Sequence, residues 1–247
     1  MIAYMFHAIG ELESDDWADP HYSYSTDKFK EFLNSVKSIV SLQFAIEHKL
    51  KEAVVVTFDD GHISNYYAAK YIHDKGIGSA DFFINPDLVG KPYYMNWQQI
   101  SELCGWGMSI QSHGLDHQYF PDCDDQELMR QLKESKRLIE ENINQSISIL
   151  APPGGRFDKR TSKLASELGY RCIANSKPGW VSDVSRYHVP RLAVLKNYSV
   201  QDLVSAQKPV SLLVIKLKVK YAILKVVKML LGNRNYDKAR FRLLGEN

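Results

Sequence analysis

The chain has 247 residues, 45% hydrophobic and 24% charged, with a formal net charge of +2; that length and apolar share allow a full core without covalent staples. Its three cysteines, Cys104, Cys123 and Cys172, show no Cys-x-x-Cys spacing, which argues against a disulfide framework and against a cysteine-based zinc site. Residues 208–247 hold ten Lys/Arg against two acids, while the rest hold 21 against 27, and a mildly acidic body with a basic tail does not resemble a nucleic-acid binder.

Ile2-Ala3-Tyr4-Met5-Phe6 reads as a first strand ending near His7. No basic leader with an apolar stretch and a small-residue cleavage site is visible, so the expected compartment is the cytoplasm. Residues 10–25 form a polar and aromatic loop. Thr26-Asp27 makes an N-cap, and Phe29, Phe32, Leu33, Val36, Ile39 and Val40 recur at helical spacing. Residues 53–58 form a second strand of β-branched residues. A helix follows over about 64–75, stopped by Gly76. Further strands are expected at 80–84, 107–112, 148–150, 171–174 and 187–194. Between them lie helices from Asn96 to Cys104, from Asp124 or Asp125 to about Asn142, and from Thr161 to Leu168. Strands alternating with helices of this length indicate a parallel α/β domain. The composition breaks near residue 205, which sets a body of 1–205 apart from an extension of 206–247.

In parallel α/β folds chemistry collects at the strand C-termini. His7, Asp59, Asp60, His113, His117 and the run Pro152 to Gly155 all lie just past expected strand ends. Adjacent carboxylates resist joint ionisation, so at least one of Asp59 and Asp60 is expected to pair with a cation or hold a proton. His113 and His117 with one of these aspartates make a three-ligand set for a divalent metal. The donor set favours zinc, while iron, cobalt and nickel also fit. The remaining aspartate is free to act as a general base, and a histidine as the acid. These requirements are those of metal-assisted amide or ester hydrolysis. Asp116 is a candidate to orient an imidazole or is simply solvated. His21, His48, His62, His73 and His188 lack partner spacing and read as surface residues, with His62 near the site because it follows Gly61. Trp180, after Pro178-Gly179, is a candidate groove wall, whereas Trp97 and Trp106 are expected in the core.

Thr57-Phe58-Asp59-Asp60-Gly61 and Ser112-His113-Gly114-Leu115-Asp116-His117 resemble the first two motifs of the polysaccharide deacetylase family, the NodB homology domain or carbohydrate esterase family four. Ala80 to Ile84, Leu150 to Gly155 and Val189-Pro190-Arg191-Leu192 resemble three further segments, in the family's order, over residues 1–200. The resemblance implies a distorted, incomplete (β/α) barrel that removes acetyl groups from N-acetylated carbohydrate. It implies Asp59 as general base, Asp60, His113 and His117 as metal ligands, and Pro153, Gly154 and Gly155 as lining of the substrate groove. Two departures stand out. The family's third motif begins with an arginine that steadies the base; here Ala151 stands there, and Arg156 or Arg191 is expected to substitute. No histidine follows residue 188, so the usual late acid is absent. One branch of the family takes its acid from a Tyr-His on the first strand, which makes His7, after Phe6, the expected acid. Rival readings are a cyclic amide hydrolase on the same fold and a glycan-binding module with a dead site.

In the extension, Val210, Leu213, Val214, Leu217, Tyr221 and Leu224 form a helical stripe. Lys216, Lys218, Lys220, Lys225 and Lys228 interrupt it too often for a spanning helix. It reads either as a helix packed on the barrel or as a basic amphipathic segment making peripheral contact with an anionic membrane.

Overall fold

The computed structural model describes residues 1–183 and 187–224; Lys225, Lys228 and the rest of the extension lie outside these. Eight strands form one sheet: β1 (Ile2–Phe6), β2 (Val54–Phe58), β3 (Asp81–Ile84), β4 (Ser109–Ser112), β5 (Ile149–Leu150), β6 (Cys172–Asn175), β7 (His188–Pro190) and β8 (Leu192–Ala193). Their order is β7-β6-β5-β4-β3-β2-β1-β8, and each named pair is parallel. β7 and β8 are separated only by Arg191, yet β7 pairs with β6 at one edge and β8 with β1 at the other. One short stretch of chain thus bridges the two ends of the sheet. The result is the distorted, nearly closed (β/α) barrel that the sequence leads one to expect.

Most of the strands are apolar because both of their faces are covered, while β4 carries the buried polar residues Gln111 and Ser112. The outer layer joins Tyr4, Phe6, Val56, Phe58, Phe82 and Ile84 to the helices in one large core. Phe58 and Phe82 stack there with ring centres 4.7 Å apart, and each buried ring of this kind contributes roughly 1.5–3 kcal/mol. A smaller inner cluster gathers Ala3, Val55, Phe83, Ile149, Ala151, Cys172, Ala174 and Val189. The two-residue period of a strand then turns Asp59, His113 and Arg191, and by continuation His7, toward the same interior.

The helices are α1 (Thr26–Ser35), α2 (Leu42–Glu47), α3 (Ser64–Lys75), α4 (Trp97–Gly105), α5 (Asp125–Ile143), α6 (Lys159–Glu167) and α7 (Val200–Ala206). Gly76 ends α3 in the left-handed conformation (φ 62°), and Asn96 and Asp124 cap α4 and α5 with their side chains. The expected helix through Val40 is corrected. Val36 is already extended, and Ile39 and Val40 bond through their backbones to Ile77 and Val54. β-branched residues favour that extended path. The chain then starts α2, capped by Ser41. The expected strand 187–194 is likewise broken at Arg191.

Residues 212–224 are helical. Val214 is buried and Leu213 and Leu217 pack on the core, while Leu212, Ile215, Val219 and Ile223 are exposed. The stripe is therefore only partly used, since Val210, Tyr221 and Leu224 are also exposed. Among the described residues no helix is long and apolar enough to cross a membrane.

Candidate active site

The site starts where β1 and β2 end side by side. Phe6 pairs with Phe58, and the Asp59 N–H donates to the Phe6 carbonyl at 2.9 Å, which sets His7 next to the aspartates. Asp60 and Gly61 both take φ 72°. This left-handed turn is costly for a residue with a Cβ and is tolerated best by short polar side chains. β3 and β4 deliver the second cluster: the His113 N–H donates to the Ile84 carbonyl at 2.9 Å. Gly114 (φ 81°) and His117 (φ 70°) then fold the histidine loop back toward Asp60.

Asp60, His113 and His117 each present one ligand atom, all within 4.8 Å of one another. Asp60 Oδ1 lies 3.1 Å from His113 Nε2 and 3.3 Å from His117 Nε2. Neither approach has hydrogen-bond alignment, and the oxygen is buried without a partner. His113 Nδ1 faces the Ala151 carbonyl at 2.7 Å. A carbonyl only accepts, so Nδ1 carries the proton, and in the neutral ring Nε2 turns a lone pair toward Asp60. A lone pair facing a carboxylate oxygen calls for a cation between them, and the N,N,O donor set suits a divalent metal. Burial by itself would raise the Asp60 carboxyl, but the imidazoles beside it hold it well below the ordinary carboxylate range.

Asp59 is buried and gripped by Arg191 through two bonds, Nη1 to Oδ1 at 2.6 Å and Nη2 to Oδ2 at 2.8 Å. Arg191 is 0% exposed, also donates to Thr57 Oγ1 at 3.0 Å, and lies over the Phe83 ring at 4.9 Å. Burial pushes the Asp59 carboxyl up, but the Arg191 charge, followed by His113, brings it below its ordinary value. The guanidinium therefore reaches Asp59 from the seam of the barrel, while the expected motif position, Ala151, contributes its carbonyl to His113. Arg156 does not contact Asp59; its guanidinium lies 4.3 Å from the centre of the Tyr119 ring.

His7 sits at the end of β1 with its ring 4.7 Å from that of Tyr22. Its Nδ1 is buried and makes no hydrogen bond. Desolvation lowers its pKa from the ordinary value, opposed by the Asp60 and Asp59 charges. Pro153, Gly154 and Gly155 form a short turn in which Gly154 (φ 59°) lies against Tyr119: a Cβ there would meet the ring at 2.8 Å. Tyr119 in turn borders His117 at 6.3 Å, so this loop flanks the cluster of Asp60, His113 and His117.

Three expectations are corrected. Trp180 is not a wall of this site: its indole N–H donates to the Ala206 carbonyl, and the Val181 N–H donates to the Met1 carbonyl, at the opposite end of β1 from His7. The chain must return there to start β7 parallel to β6. Asp116 does not orient an imidazole, because its oxygens accept from Gln131 and Gln118 and so hold the loop. His62 is buried rather than on the surface, with Nε2 2.9 Å from Asp16 Oδ2 and Nδ1 2.7 Å from Ser64 Oγ. Nothing local in sequence signals the His62–Asp16 pair, whose members are 46 residues apart.

Residues 47–173, about half of the chain, match the polysaccharide deacetylase family. YxkH of Bacillus subtilis (strain 168), described by its name as a polysaccharide deacetylase, is 30% identical over 145 residues, covering 58% of this chain and 52% of that protein. This chain thus spans about half the length of that relative. The peptidoglycan-N-acetylglucosamine deacetylase of Bacillus cereus is 24% identical over 153 residues, covering 62% of this chain and 68% of the relative. The solved structure of the Streptococcus pyogenes deacetylase PplD in complex with acetate shares the fold, with a TM-score of 0.76 at 24% identity over 85% of this chain and 98% of that one. This chain belongs to the polysaccharide deacetylase family.

Proposed function

We propose that the chain is a metal-dependent hydrolase that removes N-acetyl groups from a carbohydrate, with N-acetylhexosamine units of a surface glycan, exopolysaccharide or lipid-linked precursor as substrate. The observation that supports this most is the meeting of Asp60 Oδ1 with two imidazole nitrogens at 3.1 and 3.3 Å, next to a carboxylate held by a buried arginine. Asp60, His113 and His117 would hold the metal, zinc being favoured by two nitrogens and one oxygen. A divalent cation supplies Lewis acidity toward water and the acetyl carbonyl.

The chain's own groups do the rest. Asp59, kept ionised by Arg191, accepts a proton from the attacking water. His7 delivers a proton to the departing nitrogen as the amide C–N bond breaks, so that one water and one acetamide give an amine and acetate. Pro153, Gly154 and Gly155 border the sugar being cleaved. The Asp59–Arg191 pair weighs against a dead site, because an arginine meets Asp59 in space although Ala151 stands at the motif position.

Metal analysis of the purified protein, followed by acetate release from chito-oligosaccharides, tests this reading. Bound zinc with acetate release supports it. Imide turnover without metal would shift the reading to a cyclic amide hydrolase, and glycan affinity without turnover to a binding module.

The proposed setting is the cytoplasm, with the helix 212–224 resting on an anionic membrane surface. The exposed stripe Leu212, Ile215, Val219 and Ile223, interleaved with Lys216, Lys218 and Lys220, supports that placement. Vesicle binding that survives deletion of residues 208–247 would overturn it.

A further inference from the structure

The loop between β1 and α1 is fastened to the segments flanking the catalytic aspartates by three successive residues. The Tyr93 hydroxyl donates to Asp15 Oδ1 at 2.5 Å. Asp16 Oδ2 lies 2.9 Å from His62 Nε2. Trp17 stacks on Tyr94 with ring centres 4.4 Å apart and planes within 10°, and meets the His62 ring edge-on at 5.5 Å. The partner segments are themselves joined: the Ile63 N–H donates to the Tyr93 carbonyl and the Met95 N–H to the Gly61 carbonyl, and His62 bridges Tyr94. Gly61 directly follows Asp60, so the stacked rings are tied through a few bonds to the metal-ligand aspartate.

Trp17 is 38% exposed, while the chain's other three tryptophans pack against the core. An indole left this open costs solvation without adding to the core, although its place is fixed by Tyr94 and His62. Stacking on Tyr94 covers one face of the indole, and the residue as a whole stays 38% exposed. The π face carries negative charge density and attracts the weakly positive C–H groups that line one side of a pyranose ring. A rigid ring pair loses little entropy on binding such a ligand.

We infer that the Trp17–Tyr94 stack is a sugar-binding subsite, seating a pyranose ring adjacent to the N-acetylhexosamine positioned at Asp60, His113 and His117. This rests on the deacetylase reading, and it makes the enzyme selective for oligosaccharides over monomers. Trp17 is a positioning residue for the neighbouring ring.

The test uses the full chain loaded with zinc, with N-acetylchitotetraose and a β-1,6-linked N-acetylglucosamine tetramer as glycans and p-nitrophenyl acetate as a small acetyl donor without a second ring. Trp17→Ala is expected to raise KM for the preferred tetramer roughly tenfold, with kcat within about twofold and the small ester unaffected. Trp17→Phe, which keeps a π face, restores most of the loss. An equal loss on ester and tetramer would show that Trp17 only supports the fold, and an unchanged KM for both tetramers would likewise overturn the subsite. If no substrate is turned over, the deacetylase reading fails and calorimetry decides the subsite. Tetramer affinity weakened by Trp17→Ala sustains it, whereas equal affinity, or no affinity for either tetramer, overturns it.

Discussion

Arg191 and Asp59 are 132 residues apart in the chain and form a two-bond ion pair inside the barrel, at 2.6 and 2.8 Å. Breaking such a buried pair leaves a charge without compensation, at a cost of roughly 3–5 kcal/mol. Arg191→Ala is therefore expected to lower the melting temperature and abolish acetate release. Arg191→Lys keeps the charge but loses the planar fork, and kcat should fall roughly 10²-fold. The Arg191 charge and, beside it, its hydrogen bonds lower the Asp59 pKa against burial; Lys loses the forked bonds, so the acid limb of the activity profile should move modestly to higher pH in Arg191→Lys. A limb that stays in place would detach Asp59 from the base role.

Asp59→Asn is expected to retain metal and lose turnover by roughly 10²–10⁴-fold, whereas His113→Ala should lose both. Zinc should also raise the melting temperature of the wild type, because a ligand that binds only the folded state stabilises it, by ~2.7 kcal/mol at a hundredfold excess over Kd. Metal content by mass spectrometry and melting curves with and without a chelator check this. An equal zinc-dependent gain in His113→Ala would refute the assigned ligand set.

His7→Ala should cost activity far more than stability, since Nδ1 makes no hydrogen bond to lose. Burial lowers the His7 pKa in the free protein, and a proton donor works only below its pKa. The alkaline limb of the kcat/KM profile should therefore flatten in His7→Ala. Retention of that limb would assign the acid elsewhere.

Asp81 is fully buried and accepts from the Leu42 and Gln43 N–H groups at the start of α2. Burial pushes its carboxyl up to about 6. The folded protein then holds this proton more tightly than the unfolded chain, so Asp81 erodes stability as pH rises from the ordinary carboxylate range to about 6, by at most ~3 kcal/mol. Asp81→Asn cannot ionise, and its melting temperature relative to wild type should climb between about pH 4 and pH 7. A difference that stays flat across that range would contradict this account.

The rim positions His7, Asp59 and Asp60 were legible because they follow apolar runs, and His113 and His117 because of their spacing just past a short strand; strand ends in a parallel fold share one face. Arg191 could be weighed but not chosen from the sequence: its contact with Asp59 depends on the sheet closing on itself, which no local pattern encodes. α2 and α7, of 6 and 7 residues, are too short for a helical period to stand out. Trp180 was misplaced because the loop after β6 descends to the opposite rim before β7. Trp17 and Tyr94 are 77 residues apart, and neither carries a motif that announces the other.

The closing stretch 188–193 is the last part of the barrel to be synthesised, and it carries Arg191, which holds Asp59. A nascent chain shorter than this lacks Arg191, the two-bond partner of Asp59. On the proposed deacetylase reading, acetate release would then report that the final strand has docked.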